Sequence, residues 1–282
     1  MKFKNNMLKP FLIAAAFFTS GVCWAQANAL PSCYNSKIIE SNKISNTELF
    51  VIVDQTTMLD NQLKQQLADQ IRPFLIYGNS ISVAVFSSFN QGKYTRVVAN
   101  GRIEHKLPEA VRSDTSKPLL AKFDECLNLQ PLYANQLVGA ALRYAFEGTS
   151  TELAKSDIFS SLKEISSMVR SAGAKNKLVL LSSDMLENSS ISSFYQNQSV
   201  RLIDPEKELS LVAKHDLFAD FSGARVYVLG TGLIPEDSKS NKNQYRDPKT
   251  MAALSTFWLQ YFSKSNGRLM ELGKPALLNP IR

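Results

Sequence analysis

The sequence predicts an α/β fold with three layers, in which a doubly wound, mostly parallel central sheet of Rossmann type has helices on both faces and one antiparallel edge strand. Apolar segments of strand length alternate with amphipathic segments of helix length along most of the 282 residues, which is typical of parallel strands joined by helices. Residues 177–183 are nearly all aliphatic, as a central strand covered on both faces should be. The segments 81–86 and 94–103 are separated only by a short loop, which indicates an antiparallel hairpin.

The first strand and helix have clear local signals. Residues 48–54 form an apolar strand that ends at a carboxylate, and a helix at about 58–72 follows. Its apolar residues are spaced four apart and share one face: Leu59, Leu63, Leu67 and Ile71. Pro73 ends the helix, and the pattern Thr57-x-x-Asp60 predicts a capping box with Thr57 as the N-cap.

The middle of the chain is irregular at first and then helical. Residues 106–133 contain Pro108, Pro118 and Pro131, so only a short helix around 117–126 is predicted there. Two further helices are predicted at about 135–146 and 152–171, and Gly173 closes the second.

The last part of the chain continues the alternation. Asp204 and Pro205 open a helix, and residues 224–229 form the next strand. A polar loop follows at 235–246. Asp247 and Pro248 then begin the last helix, which ends at Gly267, and residues 268–272 are predicted as an edge strand. An aromatic stripe on this helix is expected to pack in the core: Phe257, Trp258, Tyr261 and Phe262.

The first 27 residues are predicted to be a signal peptide. Three lysines, Lys2, Lys4 and Lys9, precede or flank the short apolar run 11–18, and Ala25-Gln26-Ala27 forms an A-x-A cleavage site. Cleavage is expected after Ala27, with cleavage after Ala29 as the nearest alternative and lipidation of Cys23 as a weaker one. The mature protein would then be periplasmic, if the source is a Gram-negative bacterium, or else secreted, and no transmembrane segment is predicted in it.

The mature chain divides into an N-terminal arm, 28–47, and one α/β domain, 48–282. Loss of the signal peptide removes three lysines and no acid, which lowers the formal net charge from +7 to +4. The basic residues are scattered, so a nucleic-acid partner is not expected. Cys33 and Cys126 remain, and export to an oxidising compartment predicts a disulfide between them. Two unpaired thiols are the alternative.

Two acids are predicted to meet at one edge of the sheet. Asp54 ends the first strand, and Asp184 directly follows the aliphatic strand 177–183. Parallel strands bring their carboxyl ends to the same edge, where α/β proteins bind their ligands. Loops 184–203 and 231–247 are expected to lie on this edge too, either as a recognition surface or as solvated connections.

On these residues the chain resembles the von Willebrand factor type A family over most of residues 48–275. That family has this element order and carries a metal-ion-dependent adhesion site with the motif D-x-S-x-S, a threonine in a later loop and a second aspartate. Asp54, Thr56 and Asp184 match three positions, whereas Met58 replaces the second serine and Ala134 the threonine, counted back from Gly139. Asn135 or Gln136 is the substitute oxygen donor for Ala134.

The resemblance implies a binding module rather than an enzyme. Its partner would be another exported or membrane-associated protein, held by the loops at the carboxyl ends of the strands. The predicted contacts are Asp54, Thr56, Asp184, Glu187 and Asn188. The metal site is predicted to be weak or absent; its candidate ligands are Asp54, Thr56, Asp184 and Asn135. Mg²⁺ or another divalent cation is the only candidate cofactor.

An enzymatic alternative remains open on the sequence. A strand ending in D-x-T also occurs in phosphatases of the haloacid dehalogenase type, in which Asp54 would be the nucleophile and Asp184 a Mg²⁺ ligand. The sequence from Met58 runs straight into a helix, without the glycine-containing flap of that family, and favours the binding module. His105 and His215 do not have metal-ligand spacing and are expected at the surface or at helix ends.

Overall fold

A central sheet of six strands organises the computed structural model, which describes residues 29–40, 42–90, 93–149, 156–196, 199–234 and 247–282. Among these residues, strands β1 to β8 span Thr47–Asp54, Ser80–Asn90, Lys93–Arg102, Asn176–Ser182, Tyr195–Gln196, Ser199–Val200, Arg225–Leu229 and Arg268–Leu272. Helices α1 to α6 span Asn61–Ile71, Glu109–Asp114, Lys117–Glu147, Ile158–Ser171, Pro205–Lys214 and Pro248–Lys264. A single 3₁₀ turn, Arg72–Phe74, follows α1.

The strand order confirms the predicted fold class. The sheet runs β3-β2-β1-β4-β7-β8, and every neighbouring pair is parallel except β2 with β3. The hairpin therefore supplies the antiparallel edge strand β3, and the predicted strand at 268–272 is the other edge, β8. Strands β5 and β6 form a separate small hairpin within the 184–203 loop.

Alternate residues of β1 face two separate cores, which is why this strand is apolar without interruption. Phe50 and Ile52 pack into a core under α4, α5 and α6. Leu49, Val51 and Val53 pack into the opposite core under α1 and the second half of α3. The aromatic stripe of α6 is fully buried in the first core, as predicted.

Helix α3 corrects the prediction for residues 106–146. The structure has one helix of 31 residues, Lys117–Glu147, with Pro131 inside it. A proline inside a helix costs about 3 kcal/mol, but here tertiary packing offsets the cost. Phe123 and Leu127, in the half before Pro131, are buried against the N-terminal arm. The half after Pro131 is buried against the sheet.

Helix termini also differ from the predicted ones. The side chain of Asp60, not Thr57, caps α1, since its Oδ1 accepts a hydrogen bond from the Leu63 amide at 2.8 Å. Helix α4 begins at Ile158 and ends at Ser171, before Gly173. The predicted start of that helix at 152 lies outside the described residues, as do the signal peptide and the loop 235–246.

The N-terminal arm is attached to the domain by a disulfide and by a buried carboxylate. Cys33 and Cys126 form the predicted disulfide, with Cα atoms 5.7 Å apart. Glu104 is buried; it accepts hydrogen bonds from the amide of Cys33 at 2.8 Å and the Nε2 of Gln130 at 3.0 Å. The arm thus stabilises the proline-containing part of α3. No helix among the described residues has the length and apolar character needed to cross a bilayer.

Removal of the disulfide should lower stability. We expect the double variant Cys33→Ser, Cys126→Ser to lose about 2–4 kcal/mol of unfolding free energy, because the crosslink closes a sequence separation of 93 residues. Guanidinium unfolding of both proteins measures this. Reduced wild type should match the double variant, and equal stability of oxidised and reduced wild type would contradict the prediction.

Candidate functional site

The register of β1 and β4 brings the two predicted acids to one edge of the sheet. Val53 pairs with Ser182 in the parallel ladder, so Asp54 lies level with Ser183, and Asp184 is one residue further on. Both carboxylates are buried, with 0% and 4% of the residue exposed respectively. The sheet edge therefore holds two acids in an interior environment.

Asp54 is held by hydroxyl and amide donors from three segments. Its Oδ1 accepts hydrogen bonds from the amide of Thr56 at 2.9 Å and from the Thr56 hydroxyl at 2.6 Å. Its Oδ2 accepts hydrogen bonds from the hydroxyl of Ser183 at 2.7 Å and from that of Ser156 at 3.5 Å. A carboxylate with these donors can remain buried, since hydrogen bonds replace the lost hydration.

Asp184 is held by a second set of donors. Its Oδ1 accepts a hydrogen bond from the Leu186 amide at 2.8 Å, and its Oδ2 accepts one from the Tyr195 hydroxyl at 2.7 Å. Its backbone amide donates to the Oγ1 of Thr57 at 2.9 Å, which explains why Thr57 does not cap α1. We call Asp54, Asp184 and their side-chain donors Thr56, Ser156, Ser183 and Tyr195 the carboxylate network.

Burial controls the electrostatics of the carboxylate network. It raises the pKa of Asp54, against the opposing effect of the Thr56 hydrogen bonds. Burial and the nearby charge of Asp54 raise the pKa of Asp184 from 3.8 to about 8. Burial also raises the pKa of the Tyr195 hydroxyl, as does the charge of Asp184. Tyr195 therefore remains a proton donor to Asp184.

Glu187 is a third buried acid close to the same edge. It is fully buried, and its Oε2 accepts hydrogen bonds from the amides of Ile158 at 2.8 Å and Phe159 at 3.1 Å, in the first turn of α4. Its other oxygen, Oε1, has no hydrogen-bond partner among the described residues. Burial raises the pKa of Glu187 from 4.5 to about 8. The side chain thus fixes the start of α4 from inside the protein.

The structure brings together most of the predicted site residues but not all. Asp54, Thr56 and Asp184 share the carboxylate network. Asn188 lies beside it, since its amide donates to the Ser156 carbonyl at 2.9 Å. Whether these residues and Glu187 contact a partner stays a prediction.

The predicted substitute ligand Asn135 does not lie in a loop. Residues 133–139 lie within helix α3, and Asn135 is exposed there. The assignment of Ala134 to the threonine of the adhesion motif, counted back from Gly139, is therefore wrong, because this segment is helical. The later hydroxyl that reaches Asp54 belongs instead to Ser156, just before α4.

Three donors of the carboxylate network were missed by the sequence analysis. Ser183 has a local signal, because it directly follows a buried strand beside Asp184. Ser156 was not predicted because it falls within the helix predicted at 152–171. Tyr195 lies eleven residues after Asp184 in a segment without periodicity, so its contact arises only from the folding of the loop.

The carboxylate network does not fit the divalent cation that the resemblance implies. Mg²⁺ needs near-octahedral oxygen coordination, whereas Met58 supplies no oxygen and all four carboxylate oxygens of Asp54 and Asp184 already accept protein hydrogen bonds. No group of three His, Cys, Asp or Glu side chains within the described ranges is arranged to hold a metal ion. The donor set is that of a closed hydrogen-bond network.

The sequence matches no family model and no curated protein sequence. Among solved structures, it is similar to an aerotolerance-related membrane protein from Bacteroides fragilis NCTC 9343 with multiple mutations to serines, at 12% identity over 81% of this chain and 92% of that one, with a TM-score of 0.36. It is also similar to the TFIIH p34 N-terminal domain, at 11% identity over 82% and 93%, with a TM-score of 0.34. A third similar structure is the pilus adhesin SpaC from Lactobacillus rhamnosus GG, at 14% identity over 79% of this chain and 31% of that one, with a TM-score of 0.37. These similarities concern the α/β fold alone.

The pH dependence of stability tests the burial of Glu187. Between about pH 4.5 and 8 the folded protein keeps a proton on Glu187 that the unfolded chain has lost. The contribution of Glu187 to stability is therefore fully present below pH 4.5 and is lost as the pH rises toward 8, by up to about 1.4 kcal/mol per pH unit for this one group. Glu187→Gln keeps an oxygen for the α4 amides and should remove this part of the slope.

Urea unfolding across that pH range measures the slope. Glu147→Gln is the matched control, because Glu147 is an exposed glutamate at the end of α3, and it should leave the slope as in wild type. A Glu187→Gln protein with the wild-type slope would show that this carboxylate does not titrate between the two values.

Proposed function

We propose that the chain is an exported protein-binding module that engages another exported or membrane-associated protein through the loops at the carboxyl ends of its strands. The carboxylate network is the observation that supports this. Its donors come from the β1–α1 loop, the residues before α4 and the β4–α5 loop. Three loops are thereby held to each other, and a preorganised surface loses less entropy when a partner binds.

The same observation favours binding over phosphoryl transfer. A nucleophilic carboxylate must reach the phosphorus of its substrate, but Asp54 is 0% exposed and both of its oxygens accept hydrogen bonds. Its hydroxyl partners would have to leave before it could attack. We therefore infer that the acids support the loops rather than act on a substrate.

Met58 is the residue of this edge that a partner would contact. It is 57% exposed and lies in the β1–α1 loop between two anchored residues, since Thr57 accepts a hydrogen bond from Asp184 and Leu59 is buried. An exposed, unbranched thioether side chain suits a binding surface, because it adapts its shape to an apolar partner. We infer that binding does not need a divalent cation, since a methionine stands where the adhesion motif has a ligand.

Two arginine substitutions test the proposal. Crosslinking of mature protein in its native compartment would identify the partner by mass spectrometry, and calorimetry with the purified partner would give Kd. Met58→Arg should weaken binding at least about tenfold, equivalent to about 1.4 kcal/mol. Ile76→Arg is the matched control: Ile76 is 54% exposed but precedes β2 and lies at the opposite edge of the sheet. It should bind as wild type does.

Chelation tests whether binding needs a divalent cation, and a phosphatase assay tests the enzymatic alternative. EDTA should leave Kd unchanged, whereas a large loss of affinity restored by Mg²⁺ would contradict the cation-independent mode. Mg²⁺-dependent release of phosphate from a generic phosphoester, abolished by Asp54→Asn, would instead establish the phosphatase. Equal affinities of the Met58→Arg variant and wild type would exclude the Met58 edge as the binding surface.

A further inference from the structure

A groove lies between the edge strand β3 and helix α3, and the carboxylate network does not use it. Its volume is about 280 Å³, and its walls include Val98 and Ala99 of β3 and Leu137, Ala140 and Tyr144 of α3. Edge strand β3 has a single neighbouring strand, β2, within the described part of the sheet. The groove is therefore open along the edge of the molecule.

A β-bulge shapes the strand side of this groove. Ala99 pairs with Val83 and Val97 pairs with Ala84, so Val98 is an extra residue in β3. Bulges re-aim side chains, and here two consecutive residues, Val98 and Ala99, pack toward the core beneath α3. Without the bulge, alternate residues would face opposite sides of the sheet.

The helix side continues as an apolar stripe. Its residues follow helical spacing on one face: Leu129, Tyr133, Leu137, Ala140 and Tyr144. Leu129, Tyr133 and Tyr144 are 38%, 41% and 44% exposed. The part of the stripe that lines the groove, from Leu137 to Tyr144, is about 10 Å long at 1.5 Å per residue, which is the length of about three residues of extended chain.

A cation lies at one end of the stripe. The guanidinium of Arg96 is 4.8 Å from the ring centroid of Tyr144. Arg96 is exposed, and no carboxylate of the described residues is within salt-bridge distance of it. Stacking on the aromatic ring holds the guanidinium at the rim, where it can form a bidentate pair with an incoming carboxylate.

The other end of β3 is already covered by the N-terminal arm. A side-chain carbon added at Gly101 would lie 2.7 Å from the Cγ of Leu30, so the arm is seated directly on this residue. Glu40 of the arm also pairs with Arg102. An acid of this chain thus neutralises the arginine at the covered end of β3, whereas Arg96, at the other end, pairs with no acid in the part of the chain that the structure describes.

We propose that the groove between β3 and α3 binds an extended segment of a partner protein, of which about three residues lie in the groove with their apolar side chains against Leu137, Ala140 and Tyr144, and whose terminal acid pairs with Arg96. Shape, length and charge define this occupant together. The apolar side chains of the walls take aliphatic side chains, and the guanidinium, which has no carboxylate partner among the described residues, selects an acid over a base. This surface does not depend on the function proposed for the loops.

Synthetic peptides test the proposal without knowledge of the natural partner. The probe is a fluorescent, blocked seven-residue peptide with alternating leucine and serine and a glutamate at each end, so that either orientation places an acid on Arg96. The comparison peptide has lysine at both ends. Fluorescence polarisation on the mature protein should show that the glutamate peptide binds at least about tenfold more tightly.

Three variants locate the binding. Arg96→Glu should reverse the preference in favour of the lysine peptide. Ala140→Arg, at an exposed position in the groove wall, should abolish binding of both peptides. Met58→Arg should leave both affinities unchanged, which separates this surface from the one proposed for the loops.

Several results would overturn the proposal. They are the absence of saturable binding up to about 1 mM peptide, equal affinities of the two peptides, and wild-type affinity in Ala140→Arg. Sedimentation could also overturn the proposal. If the mature chain is a dimer and Ala140→Arg dissociates it, the occupant of the groove is a second copy of this chain.

Discussion

The burial of the Asp54 carboxylate is the constraint on which the carboxyl edge of the sheet depends. An ionised carboxylate removed from water costs several kcal/mol unless hydrogen bonds replace its hydration. Because β1 is one of the two middle strands and is covered on both faces, its last residue, Asp54, is buried. The chain must therefore bring donors to Asp54, and Thr56, Ser156 and Ser183 come from three different segments to do so.

This requirement sets the conformation of the surrounding loops. Thr56 follows Asp54 by two residues, so the β1–α1 loop must curl back over the strand end. Thr57 then accepts the Asp184 amide, and α1 takes its cap from Asp60 instead. Asp184 in turn fixes Tyr195, and with it the β5–β6 hairpin. One buried carboxyl group thus links residues more than a hundred positions apart in sequence.

The sheet could be predicted from the sequence but the carboxylate network could not, and the reason is physical. Strands buried on both faces are continuously apolar, a local signal that located β1 and β4 and placed Asp54 and Asp184 at one edge. Helix α3 was missed because Pro131 is a local helix breaker, whereas the packing of Phe123 and Leu127 on the arm is a tertiary effect. A periodicity analysis contains no information on such distant contacts.

The predicted capping box of α1 also failed because a local pattern contains no information on a distant contact. Both Thr57 and Asp60 are good N-cap residues, and the pattern Thr57-x-x-Asp60 favours the first. The structure uses the second because the Thr57 hydroxyl has a distant partner, the Asp184 amide. Local preference therefore decides a terminus only where no tertiary hydrogen bond competes for the same side chain.

The antiparallel direction of β3 connects the edge of the sheet with the β3–α3 groove. Thr95 of β3 pairs with Phe86, which pairs with Asp54, so Thr95 lies at the level of the carboxylate network and Arg96 is one residue further along β3. On the helix side, Gln55 donates a hydrogen bond to the Ala145 carbonyl at 3.3 Å, next to Tyr144. Gln55 thus lies between the buried acids and the open groove. This hydrogen bond anchors the β1–α1 loop to the helix that forms one wall of the groove, so the packing of α3 on the sheet positions both the loop and the wall.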